Sequence, residues 1–132
     1  MDAELLEIQN FLAQYPPFTE LPEEMLVKVT SSVEISYYRQ DTPIIHFGDQ
    51  INDLYIVRSG EVEVYRRKGE LYNRLDEGHL FGQMGLLTNN KVRFPVKATE
   101  DTLLYCIPEP IFQELYDNYD SFADFVEVED NA

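Results

Sequence analysis

The sequence predicts a mainly β domain with flanking helices, in the order helix, helix, β-barrel, helix. Three observations point to it. Apolar residues recur at helical spacing near both ends of the 132-residue chain. Between the ends, short apolar runs alternate with polar residues and are cut by turn-forming pairs at intervals of about 8–12 residues, the rhythm of an antiparallel sandwich or barrel. The charge follows the same division. Residues 1–34 hold seven acids and one base, residues 35–98 eight acids and nine bases, and residues 99–132 ten acids and no base.

The first helix places Leu5, Ile8, Leu12 and Tyr15 on one face. Pro16-Pro17 should end it, because a residue before proline is pushed out of the helical region. A second helix starts at Pro22, which needs no amide donor there, and carries Glu23 and Glu24 in its first turn, where acids suit the positive helix end. Its apolar face is Met25, Leu26 and Val29. Strands follow. Val33, Ile35 and Tyr37 alternate with polar residues, Leu54–Val57 is an apolar run, and Val62 and Val64 alternate with Glu61 and Glu63. Val96 and Ala98 alternate, and Leu103–Ile107 is the last run. Turns are expected at Gln40-Asp41, Gly48-Asp49, Ser59-Gly60, Lys68-Gly69, Glu77-Gly78, Asn89-Asn90 and Glu100-Asp101. A single C-terminal helix should start near Pro110, with Ile111, Leu115 and Tyr119 on one face and Phe122, Phe125, Val126 and Val128 beyond. The chain therefore reads as one domain over 1–132: helices in 1–32, a barrel in 33–108, and a helix with the start of a linker in 109–132.

Composition narrows the function. A net charge of −15 opposes nucleic-acid polymers and anionic membranes alike. No apolar run reaches the ~20 residues of a membrane span. The acidic, amphipathic N-terminus is unlike a signal peptide, and the lone Cys106 fits a reducing, cytoplasmic setting. No Ser/His/Asp, Cys/His or paired-carboxylate arrangement stands out, so no enzyme is expected. His46 and His79 lack the clustering of a metal-binding barrel. His46 reads as a satisfied barrel histidine and His79 as a polar loop residue at the mouth of the segment described next. Arg66-Arg67-Lys68 sits at a hairpin tip, where a basic cluster solubilises and discourages edge pairing. The aromatics Tyr116, Tyr119, Phe122 and Phe125 either fold back on the barrel or pair with a second copy in a homodimer.

One stretch breaks the strand rhythm, Gly78-His79-Leu80-Phe81-Gly82-Gln83-Met84-Gly85-Leu86-Leu87. Gly82 lets a ligand approach the backbone. Gln83–Leu87 suits one helical turn whose first amides point outward without partners, and Arg93 follows close by as a charge-assisted fork for an anion.

These residues carry a resemblance. Gly48, Asp53-Leu54-Tyr55-Ile56-Val57-Arg58-Ser59-Gly60-Glu61-Val62-Glu63-Val64-Tyr65 and Gly78-His79-Leu80-Phe81-Gly82-Gln83 resemble, in that order, a cyclic nucleotide-binding domain over about residues 18–120. The resemblance implies a double-stranded β-helix, or jelly roll, of about eight strands, with two N-terminal helices and a C-terminal helix. It implies a phosphate-binding cassette at 81–98, with Phe81, Gly82, Gln83, Met84, Gly85, Leu86, Arg93, Phe94 and Pro95 as ligand-binding residues. The ligand class it implies is cAMP, cGMP or another nucleotide, and the role is a regulatory sensing module whose C-terminal helix relays binding. In more detail, Phe81–Leu87, Lys91–Ala98 and the tail Phe122–Asp130 are similar to the N-terminal module of bacterial proteins that join such a domain to CBS domains and a nucleotidyltransferase-like domain. By that resemblance the chain is a piece of a longer signal-transduction protein.

The cassette departs from the family's F-G-E-[LI]-A-L and R-[AST]-A pattern. Gln83 stands where the family has glutamate, and a neutral amide binds a hydroxyl less strongly than a carboxylate does. Val92 falls on the family's arginine position, with Arg93 one residue later, and a one-residue slip turns a side chain to the opposite face. Phe94-Pro95 replaces small residues whose amides help hold the phosphate, and proline has no amide to give. Together the departures point to a changed ligand or to a pocket filled by Phe94, an interaction module.

Overall fold

The computed structural model describes residues 2–128. Eight strands form two four-stranded antiparallel sheets, β1-β8-β3-β6 and β2-β7-β4-β5. The strands are β1 Glu34–Tyr38, β2 Pro43–Ile45, β3 Asp53–Ser59, β4 Val62–Tyr65, β5 Leu71–Leu75, β6 Leu80–Phe81, β7 Val96–Ala98 and β8 Thr102–Pro108. The helices are α1 Ala3–Leu12, α2 Glu23–Ser32, α3 Gln83–Leu87, α4 Glu109–Asn118 and α5 Asp120–Val128, with a 3-10 turn at Phe18–Glu20. This is the expected jelly-roll architecture.

Strand alternation divides the first sheet into two buried faces. Leu54, Ile56, Tyr105 and Ile107 face the helices, where the Phe11 ring of α1 meets Tyr105 edge-on at 5.5 Å. Val57, Leu104 and Cys106 face the barrel interior, opposite Val62, Val64, Leu75 and Val96 of the second sheet. The expected turns hold: Asp41, Gly48, Gly60, Gly69, Gly78, Asn89 and Asn90 all have positive φ.

Four expectations need correction. First, α1 ends at Leu12, short of Pro16-Pro17, and Tyr15 lies outside it. Proline has no N–H, so Pro16 cannot bond the Leu12 carbonyl. Tyr15 N takes that carbonyl in a tighter turn at 3.2 Å. Second, the single C-terminal helix is two. The chain turns extended at Tyr119, with φ −131° and ψ 103°. The break brings Phe122 into edge contact with Phe112 at 5.8 Å and Phe18 at 6.1 Å. Phe122 and Val126 are then fully buried within the chain, and Tyr116, Tyr119 and Phe125 pack partly against the same core. Third, strands β2, β5 and β6 lie where the local alternation marks no strand, since none of the three carries a clean alternating run. Fourth, His46 is not a barrel histidine: it sits in an exposed turn with its Nδ1 3.3 Å from Asp49. The tail Glu129–Asp130 lies outside the described residues.

Candidate functional site

The cassette begins where β6 ends. Gly82 adopts φ +98°, which a side chain would strain, and turns the chain into α3. It is also closely packed: a Cβ there would lie 3.0 Å from Ile51 Cδ1 and 3.3 Å from the Asp53 carbonyl. Gly85, inside α3, is tighter still, with a notional Cβ 2.9 Å from both Ile51 Cγ2 and the Lys91 carbonyl. The helix is thereby pressed onto the β2–β3 loop. Gln83 and Phe81 are fully buried and Leu86 is buried, whereas Met84 is half-buried.

The segment after α3 is sewn to its surroundings through the backbone. Ile51 N donates to Asn90 O, Val92 N to Asp49 O and Gly48 N to Val92 O, each at 2.9 Å. The Asn90 amide donates to the Ile51 carbonyl and to the Glu109 carboxylate at the start of α4. Glu109 N donates to Asn52 O at 2.8 Å. Cassette, β2–β3 loop and α4 thus meet in one hydrogen-bonded junction.

The one-residue slip has the consequence its geometry requires. Val92 is buried at 2% exposure, and Arg93 projects to solvent. Among the described residues no carboxylate pairs with Arg93. Phe94 is half-buried and stacks on Tyr72 of β5, centroids 5.2 Å apart and planes within 10°. Pro95 contributes its carbonyl, which accepts from Tyr65 N at 2.9 Å. The span 81–98 contains Lys91, Arg93 and Lys97 and no acid, so it is locally cationic in an acidic chain.

Sequence reasoning missed a polar group on the barrel-facing side of β1, β3 and β8. Cys106 lies between Glu34 and Tyr55 in register, and Ser36 Oγ is 3.4 Å from its sulfur. Burial pushes the Cys106 thiol up to about 11 and raises the Tyr55 hydroxyl further. Burial, then the Glu34 charge, raises the Asp53 carboxyl. The alternation Asp53-Tyr55-Val57 was the available signal. Burial keeps the Cys106 thiol protonated at neutral pH, and no group of His, Cys, Asp and Glu among the described residues could hold a metal.

His79 does not line the cassette. It sits 2.9 Å from Asp76 and lines a cleft of about 290 Å³ with Tyr15 and Phe125 on the helical side.

The sequence profile of the cyclic nucleotide-binding domain matches residues 35–119. The chain is 25% identical over 127 residues to mouse cGMP-dependent protein kinase 2, covering 92% of this chain and 17% of the kinase. It is 26% identical over 107 residues to the cAMP-dependent protein kinase regulatory subunit of Hypocrea atroviridis, covering 81% of this chain and 23% of the subunit. Among solved structures, the regulatory domain of Toxoplasma gondii PKA with cAMP superposes with a TM-score of 0.81 at 22% identity, over 94% of this chain and 48% of that one. Thermus thermophilus catabolite activator protein gives 0.70 at 29% identity, over 83% and 54%. The chain spans less than a quarter of these two kinase-related proteins. It belongs to the cyclic nucleotide-binding domain family.

Proposed function

We propose that this member of the family is a regulatory module that binds a cyclic nucleotide in the barrel under the cassette. The observation that carries the reading is the family match across both sheets and the cassette, together with a cassette free of acids. In this reading Phe81, Gly82, Gln83, Met84, Gly85, Leu86, Arg93, Phe94 and Pro95 form the binding segment. The first-turn amides of α3 meet the phosphate and Gln83 the ribose hydroxyl, and the Arg93 guanidinium, which projects to solvent here, swings back over the cassette's edge to reach the same phosphate. The curated relatives are kinases and regulatory subunits named for cGMP and cAMP, which supports both nucleotides as first probes. The domain's part is recognition, not chemistry on the ligand.

The relay through the C-terminal helices has a physical route. The Asn90–Glu109 and Glu109–Asn52 hydrogen bonds join the cassette's end to the first turn of α4, so a shift of the cassette displaces α4. The bacterial setting, with CBS and nucleotidyltransferase-like domains following in a longer cytoplasmic protein, rests on the cassette and tail residues quoted above. Bacterial Thermus thermophilus catabolite activator protein shares the fold. No helix among the described residues is long and apolar enough to cross a membrane.

Isothermal titration of the chain with cAMP and cGMP tests the reading. Saturable binding that Arg93→Ala weakens at least tenfold is the expected result. The absence of heat with either nucleotide at millimolar concentration refutes it. In that case the second reading applies, an interaction module whose pocket Phe94 closes against Tyr72. It predicts a concentration-dependent homodimer in sedimentation.

A further inference from the structure

The helical layer leaves one side of the first sheet bare. Residues opposite one another in β1, β8 and β3 share a face, and on the outer face Leu54, Ile56, Tyr105 and Ile107 are buried. Ile35 and Tyr37 of β1, opposite Tyr105 and Leu103 in register, stand on that same face and are 47% and 56% exposed. β1 is the end strand of its sheet. Between it and α1 runs a trough of about 270 Å³. Ile8, Ile35, Leu103 and Tyr105 line its floor, and Glu4 and Glu7 its wall along α1. Two strands are about 10 Å across, close to the ~8–10 Å at which one further helix packs beside another.

An apolar sheet face is stable when another element lies on it. The charge of the trough decides which element fits. Arg58 is the one base on its lining, and Glu77 holds it at 3.5 Å while Glu7 holds it at 3.3 Å. With Arg58 balanced by Glu77, Glu4 and Glu7 leave the wall net negative. Beyond Tyr37, the base Arg39 is matched by Asp101, whose carboxylate accepts from Gln40 N at 2.9 Å. A second copy of the chain, at −15, would set the same acidic wall against this one. A basic partner meets attraction along the wall and apolar contact on the floor.

We propose that the trough between α1 and β1 seats an amphipathic helix of a basic partner protein. The apolar stripe of that helix lies on Ile35, Tyr37 and Leu103, and its Lys and Arg side chains lie along Glu4 and Glu7. Ile35 and Tyr37 are the anchors, because they have the most apolar area left to bury. The inference stands apart from the nucleotide reading. The trough is on the outer face beside β1, whereas the cassette follows β6 at the opposite edge of the sheet.

A labelled synthetic peptide of about 18 residues, with leucines at i, i+3, i+4 and i+7 and lysines elsewhere, tests this by fluorescence anisotropy. A scrambled peptide of the same composition is the control for charge alone. The chains are the parent, Ile35→Ser/Tyr37→Ser, Glu4→Gln/Glu7→Gln, and the remote pair Glu23→Gln/Glu24→Gln on α2, with circular dichroism confirming that each is folded. The expected result is that the parent binds the amphipathic peptide at least tenfold more tightly than the scrambled one. Ile35→Ser/Tyr37→Ser abolishes that preference. Glu4→Gln/Glu7→Gln weakens binding at least fivefold, and the remote pair changes it less than twofold. Equal binding of the two peptides by the parent overturns the proposal, as does a preference that survives Ile35→Ser/Tyr37→Ser. Equal weakening by the two glutamine pairs overturns it in favour of diffuse charge. A homodimer in sedimentation that Ile35→Ser/Tyr37→Ser dissolves assigns the trough to a second copy and overturns it as well.

Discussion

Three glycines around the cassette separate backbone strain from packing, and their alanine variants should differ in a set order. Gly48 has φ +84° with no atom within 4 Å of a notional Cβ, so Gly48→Ala costs only the left-handed strain, about 1 kcal/mol. Gly82 adds crowding to the same strain. A Cβ there must displace Ile51 Cδ1 at 3.0 Å and approach the Asp53 carbonyl and Tyr55 Cδ2 at 3.3 Å. The side-chain end can move but the carbonyl cannot, which brings the cost to about 2–3 kcal/mol. Gly85 inverts the usual rule. Alanine in a helix is favoured over glycine by about 1 kcal/mol. Here the new Cβ would meet Ile51 Cγ2 and the Lys91 carbonyl, both at 2.9 Å. Overpacking against backbone costs about 1–3 kcal/mol, so the net change is a loss of about 1 kcal/mol. The chain has no tryptophan, so urea unfolding is best followed by far-ultraviolet circular dichroism. The midpoint should fall in all three, most in Gly82→Ala, with the slope unchanged. Stabilisation by Gly85→Ala would refute the close seat of α3 on the β2–β3 loop. Equal losses for Gly82→Ala and Gly48→Ala would refute the packing argument at Gly82.

Other expectations follow from single side chains. Phe122→Ala should cost about 3–5 kcal/mol in the same assay, because Phe122 is fully buried against Phe18 and Phe112; a loss under 1 kcal/mol would place it outside the core. Lys28→Ala should cost less than about 1 kcal/mol despite its 2.8 Å bridge to Glu114, because both side chains are solvated. Burial and the Glu34 charge raise the Asp53 carboxyl above its ordinary 3.8, so the folded chain holds that proton more tightly than the unfolded one. Stability is then lost as pH rises through the two values, and the loss is complete at neutral pH. Asp53→Asn should accordingly be more stable than the parent at pH 7, with the two converging below pH 3.8; equal stability at pH 7 would remove the argument. Cys106, buried and with its thiol pushed up to about 11, should react with iodoacetamide at pH 8 only as fast as urea unfolds the chain. Rapid labelling of the native protein would contradict its placement in β8.

Local signals carried much of the fold. The turns were legible because Asp41, Gly48, Gly60, Gly69, Gly78 and the Asn89-Asn90 pair are residues that tolerate positive φ. Strands β3, β4 and β8 were legible because their apolar residues face buried surfaces. Strand β5 was not, since Asn73 and Arg74 interrupt it and its partner β4 supplies the order. In the site, the Gly82 turn and the α3 helix could be read from spacing. The outward projection of Arg93 followed from a one-residue slip relative to the family pattern, and the buried Val92 agrees with it.

What the sequence determined by itself was therefore the class: a mainly β fold flanked by helices, its turns, the Gly82 turn with the short helix after it, and the segregation of charge. Those properties depend on residues near one another in the chain, where helix period, strand alternation and glycine's freedom act. The tertiary structure alone decided the rest. It broke the C-terminal helix at Tyr119 so that Phe122 could reach Phe18, more than a hundred residues earlier. It laid Phe94 on Tyr72, moved His46 to the surface, and set Arg66 and Arg67 on rings from separate elements. Such contacts depend on how two sheets and a helical layer close on one another, and no local pattern encodes that closure.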